Sequence, residues 1–92
     1  MPSTIRHLET TVYPNPLSGE ELHVVVYSTR FEESIDIYVI DMLGRQVGKV
    51  NRELEHGINH FSLFLDPQLP NGVYQVAIYE TDRVGIAKFV KQ

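Results

Sequence analysis

The chain contains no cysteine. That excludes disulfides, thiol catalysis and cysteine-ligated zinc together, and it suits a cytosolic protein as well as an exported domain that folds without cross-links. Long apolar runs are also missing. No stretch approaches the ~20 residues of a membrane helix, so no transmembrane segment is expected. The opening residues, from Met1 to Arg6, lack the apolar centre of a secretory signal. Basic charge is scarce: eight Lys and Arg stand against twelve Asp and Glu, for a formal net charge of −4. Neutralising a phosphate backbone needs a basic face, so nucleic acid is not an expected partner. Lys88 and Lys91 are too few to reverse that.

The patterns of catalysis are lacking too. Ser3, Ser18, Ser28, Ser34 and Ser62 fall in loops or on strands, outside any nucleophile elbow. No glycine-rich loop opens onto a helix to cradle phosphate. The adjacent acids, Glu20 with Glu21 and Glu32 with Glu33, sit in connections and read as solvated charge. Of the histidines, His7 precedes the first strand, His56 lies in a turn, and His23 and His60 take outward positions on different strands. Zinc ligands converge at about 2.0–2.3 Å and usually include a close pair. The i, i+4 spacing of His56 and His60 would serve on a helix, but here a glycine turn separates them. No metal, no cofactor and no enzyme activity are expected.

What the chain does have is two-residue alternation broken by turns. At 92 residues it makes one small domain, with residues 1–7 read as a leader or linker remnant and 8–92 as the folded unit. A β-prone run over 8–13 ends at Pro14-Asn15-Pro16, where two missing amide donors stop any central strand. Residues 21–28 place Leu22, Val24 and Val26 on one face, and 34–40 do the same with Ile35, Ile37 and Val39. A more polar strand runs from Arg45 to Leu54. Phe61, Leu63 and Leu65 alternate through 59–65. Tyr74, Val76 and Ile78 line the clearest strand, 72–80, and a last strand covers 84–90. Phe31 is placed to close one end of the core and Leu69 to plug the loop before Gly72. Gly85 suggests a bulge, or failing that a close backbone approach. Most aromatics fall at core or half-buried positions.

Between the strands ending at Ile40 and beginning at Arg45, Gly44 is the residue able to take a positive φ, which suits a short hairpin with a bulge. Asp41 can fold its carboxylate back onto the amides of that loop. Seven strands at this spacing without helical periodicity predict an all-β, antiparallel sandwich of immunoglobulin-like or fibronectin-like type. A small barrel is the alternative closure.

Four features recur in order: Tyr13-Pro14-Asn15-Pro16; Asp41 with Gly44, Arg45 and Val47; Leu69-Pro70-Asn71-Gly72-Val73-Tyr74; and Lys88, Phe89, Val90, Lys91 and Gln92 at the end. Together they resemble the type A C-terminal sorting domain of the type IX secretion system of Bacteroidetes, over residues 12–92. The resemblance implies a sandwich at the end of a longer secreted precursor, whose N-terminal cargo crosses the inner membrane with an ordinary signal peptide. The expected partners are that cargo and the outer-membrane translocon, shuttle and sortase components. The expected destination is the cell surface or medium, reached through the periplasm and outer membrane, with a cysteine-type sortase cutting upstream of Leu8. The last strand, residues 88–92, is implied in recognition. Arg45 and Lys91 are the charges expected to touch a partner, while Tyr13, Pro14, Asn15, Pro16, Asp41, Gly44, Val47, Leu69, Gly72 and Tyr74 carry the structural motif. Strand addition at a free edge is one route to recognition. The competing readings are a surface adhesion module, with aromatics as a carbohydrate platform, and a structural spacer.

Overall fold

Alternation in the sequence becomes alternation of burial. A computed structural model of the protein describes residues 6–30, 33–80 and 82–92, with the Arg6 side chain left aside. In it Leu22, Val24 and Val26 are buried on one face, as are Ile35, Ile37 and Val39, while the residues between them reach solvent or lie half-buried. The described residues form eight strands: β1 (Arg6–His7), β2 (Thr10–Tyr13), β3 (Glu21–Ser28), β4 (Glu33–Asp41), β5 (Gln46–Leu54), β6 (Gly57–Phe64), β7 (Gly72–Tyr79) and β8 (Arg83–Lys91). Seven pair antiparallel; β1 alone is parallel, to the start of β8. Among the described residues there is no helix, and hence none long and apolar enough to cross a membrane.

The strands form two sheets, ordered β1-β8-β7-β4-β5 and β2-β3-β6, and their apolar faces make one core. This is a sandwich and not a barrel. The fold also carries an immunoglobulin-type corner. Tyr74, near the start of β7, donates its hydroxyl to the Pro70 carbonyl four residues upstream at 2.6 Å, the tie that fixes the entry to this strand in immunoglobulin-like domains. Tyr74 is buried and stacks on Phe89, 5.7 Å between centroids at 21°. Leu69 packs against the core from the adjoining loop.

Three expectations need correction. Gly85 is not a bulge, because β7 and β8 stay in register past it, Ile78 opposite Gly85 and Tyr79 opposite Val84. It is a close approach instead: a Cβ there would stand 2.2 Å from Thr10 Oγ1 and 2.9 Å from the Leu8 carbonyl. Residues 1–5 of the leader lie outside the described residues, but its last two belong to the fold: Arg6 and His7 pair with Arg83 and Val84, and the Leu8 amide donates to the Val84 carbonyl at 2.9 Å. The aromatics are less buried than their alternation suggests. Tyr13, Tyr27, Phe64 and Tyr79 are exposed, and only Tyr74 and Phe89 among those described are in the core. Phe31 lies outside the described residues.

The end of the larger sheet where β7 turns into β8 holds a buried charge cluster. The Arg83 guanidinium pairs with Glu80, whose side chain is wholly buried, and donates to Ser28 Oγ. Arg30 pairs with Asp82 and Glu33. Burial, then a hydrogen bond shared with Glu33, pushes the Glu80 carboxyl up to about 7 from the usual 4.5, against the pull of Arg83. A carboxyl raised in the folded state holds its proton longer there than in the unfolded chain. Its stabilising effect is therefore present at acid pH and is lost as pH rises from about 4.5 through about 7. That loss is of order 1–3 kcal/mol. Urea denaturation at pH 5.5 and pH 8 is expected to show it, with Glu33→Gln narrowing the difference by removing the second carboxylate.

Candidate functional site

The hairpin between β4 and β5 is built by its own side chains. Gly44 has φ of 81°, the left-handed region that suits a residue without Cβ. Asp41 Oδ1 accepts from the amides of Leu43 and Arg45, both at 2.9 Å, and Oδ2 accepts from Arg45 Nε at 2.8 Å. The Arg45 amide does most to hold the Asp41 carboxyl below the usual carboxylate range; burial opposes it next, and the Arg45 guanidinium and the Leu43 amide add to the lowering. The pairing then slips, Val39 opposite Gly48 but Ile40 opposite Gln46, leaving Val47 as the extra residue of a bulge. Arg45 thus has a structural partner that its spacing alone did not reveal, yet its side chain is 72% exposed. Met42 and Leu43 form an apolar tip beside it, each 77% exposed. Their exposure had no signal in the alternation, because a turn has no face.

Across the sheet this hairpin is continuous with the other motifs. Asp41 lies opposite Tyr74, Tyr74 opposite Phe89, and Gly72 opposite Lys91. Beyond β8 lies the Pro14-Asn15-Pro16 segment, in which both prolines follow cis peptide bonds. Asn15 uses its side-chain amide as a piece of strand: Nδ2 donates to the Lys88 carbonyl at 3.1 Å and Oδ1 accepts from the Val90 amide at 3.0 Å. Leu17 continues the closure. Its amide donates to the Val90 carbonyl at 2.7 Å, and its carbonyl accepts from the Gln92 amide at 2.8 Å. Four motifs spread along the chain therefore meet at one end of the sandwich.

That arrangement corrects two expectations about the last strand. Its outer edge is not free, since β1 covers the first part and Asn15 with Leu17 the second. Lys91 is not an exposed charge. It alternates inward with Phe89 and keeps only 8% of its surface in contact with solvent, while Phe89 keeps none. Lys88, Val90 and Gln92 are the exposed members of that stretch. Lys88 shares a shallow hollow with Asp41, Met42, Gly44 and Gln75, and Arg45 lines the adjoining one with Leu43, Leu69 and Pro70. Two cations thus flank the apolar tip of the hairpin. Asn15→Ala is expected to cost about 1 kcal/mol and to speed hydrogen exchange at the Val90 amide, with exchange at Val76 in the core of β7 little changed.

The histidines also depart from expectation. His23 and His60 face the same side of adjacent strands, and His60 Nε2 lies 3.2 Å from His23 Nδ1. Strand register, which spacing along the chain does not encode, brings them together. Among the described residues, no group of three His, Cys, Asp or Glu side chains is placed to hold a metal.

The fold and this end of it define an immunoglobulin-like sandwich whose sequence markers all converge on its C-terminal strand. A family model described as "Secretion system C-terminal sorting domain" matches residues 11–92. The chain belongs to that family, the type IX secretion sorting domains. No curated protein matches it. Membership marks the chain as a sorting signal for export to the cell surface or medium, which implies a cargo and the type IX machinery.

Proposed function

We propose that this domain is a non-catalytic signal that carries an N-terminal cargo across the outer membrane, and that the translocon reads the end where the four motifs meet. The observation that carries this reading is the family match over residues 11–92. The geometry supports the choice of surface. Arg45, Lys88, Met42 and Leu43 are exposed there, and a mixed apolar and cationic patch suits a protein partner whose approach is steered by charge. Asn15, Gly44, Tyr74, Phe89 and Lys91 act by holding that end in shape. Sortase cleavage would fall before Arg6, because Arg6, His7 and Leu8 are tied to β8.

The test is a fusion. The 92-residue chain is attached behind a reporter that folds in the periplasm of a type IX-competent host. The reporter is expected at the cell surface or in the medium. A folded, intact fusion retained in the periplasm would overturn the proposal.

A further inference from the structure

We propose that Tyr13, His23 and His60 form a surface site for a late divalent transition metal, with Zn2+ or Cu2+ as the ligand. The three side chains come from all three strands of the smaller sheet. His23 of β3 lies opposite Tyr13 of β2 and Ser62 of β6, and His60 is the next outward-facing residue along β6. Their polar atoms converge. His60 Nε2 is 3.1 Å from the Tyr13 hydroxyl and 3.2 Å from His23 Nδ1, and Ser62 Oγ is 3.4 Å from that same His23 nitrogen. Two ligand atoms at tetrahedral zinc, each about 2.0–2.1 Å from the metal, stand roughly 3.3 Å apart. The spacing in the apo protein is already close to that value.

The rings set the adjustment that binding requires. Tyr13 stacks on His23 at 4.8 Å and 20° and on His60 at 5.9 Å and 25°, and His60 is tilted 44° to His23, so the rings must turn out of this stack before their donor atoms face one ion. His60 is exposed, and rotation about its side-chain bonds can aim its nitrogen at a point shared with His23. A hydrogen bond between the two imidazoles needs a proton on one facing nitrogen. A metal needs a lone pair from both facing nitrogens, so that proton moves to the far nitrogen of its own ring, and only a Tyr13 phenol that ligates as phenolate would release a proton. The two imidazoles select late transition metals such as zinc and copper over calcium and magnesium, which take oxygen ligands, and the Tyr13 oxygen is a weaker third donor. The bound ion would tie the four-residue β2 to β6 across β3, and anything that binds only the folded state stabilises it.

The test is a titration of the metal-free chain with Zn2+ alone, followed by histidine ring NMR and calorimetry, and repeated with Cu2+. Binding of one ion per chain is expected, with the largest shifts at His23 and His60, a rise in Tm, and tighter binding of Cu2+. His60→Asn and His23→Ala are each expected to weaken binding at least about tenfold and to abolish the rise in Tm. Tyr13→Phe should weaken it less, and His7→Ala and His56→Ala should leave it unchanged. Because His60 is exposed, the circular dichroism of His60→Asn should match that of the parent, so a loss of binding there reads the site and not the fold. Absence of saturable binding, or binding that survives both His60→Asn and His23→Ala, overturns the proposal.

Discussion

Phe89→Ala is expected to cost about 3–5 kcal/mol, a large share of the roughly 5–15 kcal/mol that holds a small domain together. The ring is wholly buried and stacks on Tyr74, and Tyr74 in turn holds Pro70 through its hydroxyl. Removing the ring opens a cavity at the point where β7, β8 and the 65–71 loop meet. Urea denaturation checks the size of the loss; a change below about 1 kcal/mol would mean that the site collapses without penalty. The same reasoning bears on truncation. Deleting residues 88–92 removes Phe89 together with the partners of Asn15 and Leu17. Loss of export after such a deletion would therefore report unfolding as much as lost recognition.

Gly85→Ala is expected to have the next largest effect, about 1–3 kcal/mol. The new methyl would meet Thr10 Oγ1 and the Leu8 carbonyl at 2.2 and 2.9 Å. Neither gives way easily. The Thr10 hydroxyl donates to that same carbonyl at 2.9 Å, and Leu8 is 3% exposed. Residues 8–10 must move away from β8, so the Leu8 amide, which donates to Val84, should exchange faster with solvent than in the parent. Adding Thr10→Ala should recover only part of the loss, since the carbonyl contact remains. Full recovery would place the strain in the hydroxyl alone.

The sandwich could be read from the sequence because alternation is a local property. Leu22, Val24 and Val26 announce a buried face without reference to any other strand, and Gly44 with Asp41 announces a hairpin. What could not be read depends on register and on side chains acting as backbone. Asn15 looks like an ordinary turn residue between prolines until it is seen filling two bonding positions on β8. Lys91 looks like terminal charge, yet its place in the alternation with Phe89 turns it inward. Gly85 carries the same local signal whether it marks a bulge or a close approach, and only the packing of residues 8–10 against it decides. His23 and His60 become neighbours through the pairing of β3 with β6. The proposed recognition surface was visible as a set of motifs but not as one place.

Whether that place is read by the export machinery can be measured by separating charge from fold. Lys88→Glu combined with Arg45→Gln changes two exposed side chains and removes the pair between exposed Arg45 and half-buried Asp41; the Leu43 and Arg45 amides still hold the Asp41 carboxylate, so Tm should fall only slightly. In the reporter fusion the account predicts that the double variant folds in the periplasm and that its export falls severalfold, because charge at the rim of an interface sets the rate of encounter. Export at the parental rate by a variant of near-parental Tm would contradict it.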